Sequence, residues 1–477
     1  MFSLLNNEII SKNIIPNINQ LQLFTNQIPS YVPYLITYFF ALIILSIILF
    51  FVYVRIKFRF WALQPVFHIY DVYYWFFNVG IINKDLPLKN RYTNFKNVKT
   101  ISFDILSKQN IKDFTLLVQL NYLRNKENTF TPTEDNILPY FTGHNDKSFW
   151  SFYLEPELIL DSKTNNMIPS EKLIGVITGR PITVTFLKET NPRSKLESET
   201  KNKYETKTEL NISGLALTSL KPFLKVYYID YLCVDKNYRK KGIAEQLIQT
   251  HEYNQSHLNK SICVSLFKRE DDLTGIVPLT VYKSYCFNMR NWNCPQPLDP
   301  KMTLLQGDKQ NMYYFYNFIK EREKEGIREK YKDKEGKWQL TILPDMSNIM
   351  ELISSKNMFI SMIVIDGNIE AAYVFKKSCT YIEKDKEVIC CIASIYNTSK
   401  MQEEEFIRGF KVSLWSVIER PENKQFHYLT VEDTSDNGCI IRNIERKTHP
   451  TVVSPTAYFF YNFSYSTFKS EDVFIIC

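Results

Sequence analysis

From Val32 to Val54 the chain reads VPYLITYFFALIILSIILFFVYV, with no ionised side chain. At 1.5 Å per residue such a run spans the ~30 Å apolar core of a bilayer. A secretory signal would have a shorter apolar core, a basic lead-in and a small-residue cleavage site, and none of these is present. Arg55, Lys57 and Arg59 follow directly, whereas only Lys12 precedes the run. The positive-inside rule then predicts a single-pass membrane protein with its N-terminus outside and its large C-terminal part facing the cytosol. Residues 1–31 form a polar, Asn-rich tail whose only ionised side chains are Glu8 and Lys12, and they predict no fold.

The next informative pattern is Tyr227–His251. Tyr228, Ile229, Tyr231, Leu232, Cys233 and Val234 form an apolar run of strand length. Ile243, Ala244, Leu247 and Ile248 recur at helical spacing. Between them lies the basic turn Asp235–Gly242. A strand that delivers glycine and basic residues to a helix N-terminus suits phosphate, because first-turn N–H groups lack intrahelical partners and the helix dipole favours an anion.

Later segments repeat the strand–helix alternation. Phe359–Ile365 and Ala372–Phe375 read as strands around a turn at Asp366-Gly367-Asn368, Met401–Ile418 as a helix and Phe426–Val431 as a strand. Two charged stretches interrupt the pattern. Pro192–Glu209 reads as a solvated loop, and Phe318–Trp338 as an exposed helix or linker.

Composition narrows the function. The chain has 477 residues, 45% hydrophobic and 23% charged, enough for two or three domains with sizeable cores. A net charge of +7 suits an anionic cofactor or a membrane surface and gives no reason to invoke nucleic acid. Nine scattered cysteines, without a C-x-x-C or a Cys/His pair at zinc spacing, predict a reducing compartment and no structural metal. His144 and His427 are lone histidines and read as structural.

The turn Arg239-x-x-Gly242-x-Ala244 resembles the pyrophosphate-binding signature of the GNAT superfamily of acyl-CoA-dependent N-acyltransferases. Phe60-Trp61-x-x-Gln64-Pro65-Val66 resembles the N-terminal signature of eukaryotic N-myristoyltransferases. Further segments resemble that family in the same order: Leu116–Leu123, Trp150-Ser151-Phe152, Pro156-Glu157-Leu158, Lys172–Ile177, Ile229–Val234 (family I-N-F-L-C-V), Arg239–Ala244, Gly275–Pro278, Ala393–Asn397 and Tyr458–Phe463. The resemblance covers residues 57–477. It implies an α/β (α+β) architecture of two tandem GNAT-like halves, each a twisted mixed sheet flanked by helices, with the transmembrane helix added. The expected division is 1–31 tail, 32–54 membrane helix, 55–317 acyl-CoA-binding half, 318–338 charged linker and 339–477 second half.

The resemblance also implies the chemistry: transfer of a long acyl chain, myristoyl, from CoA to the N-terminal glycine amine of a peptide or protein, without metal. The oxyanion of the tetrahedral intermediate would be held by the backbone N–H groups of Tyr231 and Leu232. The C-terminal carboxylate, here that of Cys477, would accept the amine proton; a buried carboxylate is raised toward neutrality and suits that task. Myristoyl-CoA would meet Arg59, Phe60, Trp61, Tyr231, Leu232, Cys233, Val234, Arg239, Lys240, Lys241, Gly242, Ile243 and Ala244. The peptide would meet Tyr122, Trp150 and Phe152.

The sequence departs from the family in four places, one of them a second half that looks shorter around Leu340–Lys356. Leu123-Arg124-Asn125-Lys126 stands where the family has an acidic run that meets basic peptides. Gly242 replaces a basic residue and is closer to ordinary acetyltransferases. The glycine-rich segment before the last strands is missing near Lys447–Pro455. Two other readings therefore stay open: a GNAT-type acetyltransferase using acetyl-CoA, and a membrane-bound acyl-CoA- or peptide-binding protein without catalysis.

Overall fold

The computed structural model describes residues 31–76, 79–123, 128–160, 167–187, 223–270, 275–328, 338–383 and 385–477. The polar tail 1–30, the loop 192–209 and residues 124–126 lie outside them. The chain divides into two compact units, Met1–Gln64 and Pro65–Cys477.

The first unit contains helix α1 (Val32–Lys57), with a proline in its first turn and Arg55 and Lys57 in its last. Leu35, Phe39, Ile44 and Phe50 represent its faces, and all are exposed. A helix apolar all round has no polar face to offer water. By length and composition Tyr34–Lys57 can cross a membrane. A short 3₁₀ turn, Trp61–Leu63, follows, with the Phe60 and Trp61 rings edge to face at 5.1 Å.

The second unit is built on one long mixed sheet. Its strands are β1 (Val98–Ser102), β2 (Phe149–Leu160), β3 (Met167–Phe186), β4 (Phe223–Val234), β5 (Ser265–Glu270), β6 (Thr280–Asn288), β7 (Met302–Gln306), β8 (Leu340–Leu343), β9 (Met358–Ile365), β10 (Asn368–Ile382), β11 (Glu387–Tyr396), β12 (Phe426–Glu432), β13 (Val452–Tyr461) and β14 (Val473–Ile475). The order across the sheet is β14-β8-β3-β4-β5-β13-β6-β12-β11-β10-β9-β7, with β2 and β1 continuing from the first part of β3. Packed against it are α2 (Lys108–Asn121), α3 (Ile243–Leu258), α4 (Met312–Arg328), α5 (Met346–Ser354), α6 (Glu403–Ile418) and α7 (Asn437–Glu445).

Two βαβ units mark the two halves. β4 and β5 are parallel and joined through α3; β11 and β12 are parallel and joined through α6. Parallel neighbours require such a crossover. Each unit's following strand crosses to the other half. β6 pairs with β12, β13 pairs with β5, and β6 and β13 pair with each other. The C-terminal segment also returns: β14 lies parallel to β8, which pairs with Thr183–Phe186 of β3. The halves therefore share one sheet, and strands from both sides of residues 318–338 interleave in it.

Local sequence explains the elements. β9 and the Ala371–Phe375 part of β10 are buried on both faces and are correspondingly almost continuous in apolar residues. Their hairpin turns at Asp366 and Gly367, both with positive φ, the conformation of the two-residue hairpin loop. In α6 the buried positions Phe406, Ile407, Phe410, Leu414 and Val417 fall on one helical face. Gly179 lets α3 approach β3: a Cβ there would lie 2.5 Å from Gln255 Oε1 and 3.0 Å from His251 Nε2. The expectation of a solvated segment at Phe318–Trp338 is corrected in its first part. Helix α4 starts at Met312 and buries Met312, Phe315, Phe318 and Ile319 in the core, while residues 329–337 lie outside the described residues. The dense charges of its other face concealed an amphipathic helix.

Candidate functional site

The turn from β4 into α3 is built by short-range and long-range polar contacts. Asp235 accepts from the Asn237 N–H at 2.8 Å, and the Lys236 N–H donates to Asn121 Oδ1 at 3.0 Å. Arg239 donates through Nε to the Val234 carbonyl at 3.1 Å and through Nη2 to the Asn121 carbonyl. That guanidinium thus ties the turn to the C-terminus of α2. Lys240 and Gly242 both take positive φ, 63° and 75°. Space is open around Gly242 Cα, so its backbone conformation is what favours glycine.

The first bond of α3 runs from the Gln246 N–H to the Gly242 carbonyl at 3.2 Å. The N–H groups of Ile243, Ala244 and Glu245 precede it and have no intrahelical partner. They open on a cleft of about 510 Å³ lined by Asn121 at the end of α2 and Tyr122 just after it, Leu232–Val234 of β4, and the residues Tyr238–Lys240 and Gly242–Glu245. Lys240 and Lys241 are exposed beside it, with Lys241 Nζ 4.7 Å from the Tyr238 ring centroid. This donor set fits a diphosphate: N–H groups without intrahelical partners at a helix N-terminus, with two exposed cations. The corresponding βα junction of the second half does not. There the first turn of α6 carries Glu403, Glu404 and Glu405, with Gln402 and Glu405 closing a capping box. Three carboxylates oppose a phosphate at the position where the first half offers lysines.

A bulge interrupts β4 just before the cleft. Ile177 faces Leu232, but Gly179 faces Ile229, so Thr178 stands opposite both Asp230 and Tyr231. The Tyr231 N–H donates to Thr178 Oγ1 at 3.2 Å. Leu232 is 39% exposed at the cleft. Cys233 is buried, and burial pushes its thiol up to about 12, which keeps it a neutral strand side chain.

Beside the bulge lies a buried charged cluster. Arg180, fully buried, donates through Nε to Asp230 Oδ2 at 2.5 Å and through Nη2 to Oδ1 at 3.5 Å. Burial alone would lower the guanidinium's affinity for its proton, and Asp230 more than offsets this. The rings of Tyr140 and Tyr228 flank the guanidinium at 5.4 and 5.1 Å. Cys477 is 6% exposed, with Ile476 donating to the Ile342 carbonyl at 2.9 Å. Lys376 Nζ donates to the main-chain oxygen of Cys477 at 2.9 Å. Burial pushes the Cys477 thiol up to about 12, against the lowering effect of Arg180 and Lys376.

The expected site residues thus separate into groups. Tyr122, Leu232, Cys233, Val234, Arg239, Lys240, Gly242, Ile243 and Ala244 line one cleft, with Lys241 exposed beside it. Tyr231 sits at the bulge and Cys477 in the charged cluster. Arg59, Phe60 and Trp61 belong to the first unit. Trp150 and Phe152, expected to meet peptide, are 0% and 2% exposed core residues, with the Phe114 ring 4.1 Å from Trp150. Tyr122 packs on Phe130 and Tyr231 at 5.0 and 5.7 Å. His144 and His427 each contact a main-chain carbonyl, of Tyr140 at 2.9 Å and Gln425 at 2.8 Å. Sequence reasoning missed Arg180, Asp230, Lys376 and Asn121. A charged residue inside each of the apolar runs around Arg180 and Asp230 was the available signal. Among the described residues, no group of three or more His, Cys, Asp or Glu side chains could hold a metal ion.

No protein-family model matches the chain, and no curated protein matches it in sequence. Among solved structures it is similar to Saccharomyces cerevisiae N-myristoyltransferase with bound myristoyl-CoA. One such structure shares 12% identity at a TM-score of 0.58, covering 86% of this chain and 94% of that one. A second gives 14% identity at the same TM-score, covering 86% and 90%. At such identities the likeness is one of fold, and the observed βαβ units supply its two halves. The chain has the N-myristoyltransferase fold, an α/β fold of two GNAT-like halves.

Proposed function

We propose that this protein is an acyl-CoA-dependent N-acyltransferase that moves a long acyl chain, myristoyl, onto the N-terminal glycine amine of a peptide or protein. The observation that carries this reading is the cleft: it joins a helix N-terminus fitted to a diphosphate with the exposed end of a bulged strand, on a fold shared with the yeast enzyme.

The residues divide the work as follows. The first-turn N–H groups of α3 hold the diphosphate, and Lys240 and Lys241 neutralise it. Arg239 positions the turn through its two carbonyl contacts. The N–H groups of Tyr231 and Leu232 receive the oxyanion as the acceptor nitrogen attacks the thioester carbonyl; each such donor contributes roughly 10²–10³ in rate. The Tyr231 N–H exchanges its Thr178 contact for the oxyanion. The carboxylate of Cys477 takes the proton that frees the acceptor amine. Helix α1 attaches the enzyme to a membrane, with the basic residues after it on the cytosolic side.

Full-length protein in detergent should release CoA from myristoyl-CoA in the presence of peptides that begin with glycine. No release across a broad peptide panel counts against the reading. Gly242, which stands where the resembled family carries a basic residue, favours a second reading, acetyl transfer. Relative turnover with acetyl-CoA and myristoyl-CoA separates the two.

A further inference from the structure

Pro65–Gly80, the first stretch of the second unit, carries one Asp, Asp71, and no Glu, Lys or Arg. Its backbone is fixed to the unit: the Val277 N–H donates to the Phe67 carbonyl at 2.7 Å, and the Ile69 N–H to the Gly275 carbonyl at 3.0 Å. Asp71 is used internally, accepting from the His68 N–H at 2.9 Å. The short helix Val72–Phe76 then packs back on the buried Phe67, whose ring lies 5.9 Å from that of Tyr74 and 4.9 Å from that of Trp75. The Trp75 indole donates to the Ile69 carbonyl at 3.1 Å. What this turn holds outward is apolar. Ile69, Val72 and Tyr73 are 60–62% exposed and Trp75 46%. Single exposed apolar residues are ordinary, but a cluster held out by a hydrogen-bonded turn marks contact with an apolar partner.

Three observations point to a lipid bilayer. Helix α1 can cross a membrane and ends at Lys57, twelve positions before Ile69. Fully extended, that length of chain reaches at most about 43 Å, so Ile69 stays close to the end of the span. Tyr and Trp, apolar rings with a polar tip, are the side chains that settle at a membrane–water boundary. Basic residues flank the cluster, Arg55, Lys57 and Arg59 before it and Lys84, Lys89 and Arg91 after it, with Asp85 the only acid in 81–92. Such flanks suit the anionic headgroups of a cytosolic leaflet. The tail 1–31 falls on the opposite side of the membrane by the positive-inside rule and cannot cover this face. We propose that Ile69–Trp75 is a second membrane contact, inserted at the headgroup level of the cytosolic leaflet, which holds the second unit on the bilayer surface instead of on a free tether. Long-chain acyl-CoA and acylated products both partition to that surface. This contact rests on the reading of α1 as a membrane span.

The test places an environment-sensitive fluorophore at Val72→Cys in the full-length protein. Cys294→Ser removes the exposed native thiol, and that variant alone gives the background labelling. Lys424→Cys is the control: Lys424 is exposed and precedes β12, whose Tyr428 pairs with the Asn288 end of β6, whereas Gly275 precedes the Thr280 end. The proteins are reconstituted in phosphatidylcholine vesicles with about 30% phosphatidylserine, an anionic surface of the cytosolic kind. Some of the lipid carries a spin label high on its acyl chain. The dye at Val72 should shift to the blue, lose emission to the spin-labelled lipid and be shielded from aqueous iodide. The dye at Lys424 should respond to iodide alone. Equal iodide quenching at the two positions overturns the proposal. Shielding from iodide without quenching by lipid also overturns it, because the face is then covered by protein, a second copy or another segment of this chain. If Val72→Cys disturbs folding, Tyr73→Cys decides by the same readings. Release of the protein from the vesicles by alkaline carbonate overturns the reading of α1 as a span. Retained protein with no lipid quenching at Val72 overturns the second contact only.

Discussion

The backbone N–H of Tyr231 donates to the side-chain hydroxyl of Thr178 at 3.2 Å, at the point where β3 and β4 lose register. A side chain thus satisfies a strand N–H, and the bulge holds that N–H available to a stronger acceptor. Thr178 is itself fully buried. Replacing it with valine keeps the shape and removes the acceptor. An unsatisfied buried donor costs about 1–3 kcal/mol. Thr178→Val should therefore lower the urea-unfolding free energy by that amount and disturb the bulge. Acyl transfer should fall with kcat more than KM, because the ground-state thioester needs the N–H less than the oxyanion does. An unchanged unfolding free energy would show that the contact carries no weight.

The glycine at the head of α3 offers a separable test of the cleft. Gly242 has φ of 75° and open space where a Cβ would stand. Alanine meets no clash there and pays only the left-handed backbone, about 1–2 kcal/mol. Asparagine tolerates that region better. Calorimetric titration with myristoyl-CoA should show weakened binding for Gly242→Ala, by about tenfold for each 1.4 kcal/mol, and a smaller loss for Gly242→Asn. Equal losses in the two variants would point to crowding of the ligand rather than to the backbone.

The parts legible in the sequence were those whose signal is local. Helix α1 followed from one uninterrupted apolar run, and β4, its turn and α3 from a change of apolar period across Gly242. What stayed hidden depends on distant partners. Arg180 finds Asp230 50 positions away, and Lys376 finds Cys477 101 positions away. Lys376, taken alone, looks like a solvated side chain, and the apolar runs around Arg180 and Asp230 mark each charge without naming its partner. The strand exchange between the halves is equally non-local, since β6 and β13 find their partners far along the chain, on β12 and β5. Trp150 and Phe152 show the converse problem. Aromatic residues on a strand give one signal for an acyl or peptide pocket and for a core, and here the core has them.

A buried acid on α3 makes stability depend on pH. Glu252 is 7% exposed and accepts from two neutral hydroxyls, Ser256 Oγ at 3.1 Å and Ser265 Oγ at 3.2 Å. Burial raises its carboxyl from 4.5 to about 7, against the lowering effect of the two hydroxyls. The neighbouring His251, lowered by burial to about 4, stays neutral and supplies no counter-charge near neutral pH. The folded protein therefore holds the Glu252 proton more tightly than the unfolded chain. The stability this contributes is complete below pH 4.5 and is lost as pH rises through about 7. The difference amounts to about 3 kcal/mol at 1.36 kcal/mol per pKa unit. Glu252→Gln keeps the hydrogen-bonding shape without the charge. Its thermal midpoint should exceed that of wild type at pH 8 and match it at pH 5; parallel curves over that range would remove Glu252 as the cause.

The Arg180–Asp230 pair is the strongest candidate for a strictly coupled stability effect. The two side chains are 0% and 12% exposed, and two hydrogen bonds join them between the Tyr140 and Tyr228 rings. Removing one partner leaves a buried charge without compensation, which costs about 3–5 kcal/mol. Removing both leaves neither charge, so the double replacement should cost less than either single one. Arg180→Met and Asp230→Asn should each lower the unfolding free energy in urea by about 3–5 kcal/mol, and Arg180→Met with Asp230→Asn should recover most of that loss. Acyl transfer should not recover in the double variant, because Asp230 lies in the bulge next to Tyr231 and its contact with Arg180 is lost there. Additive losses across the cycle would mean that the two residues act independently.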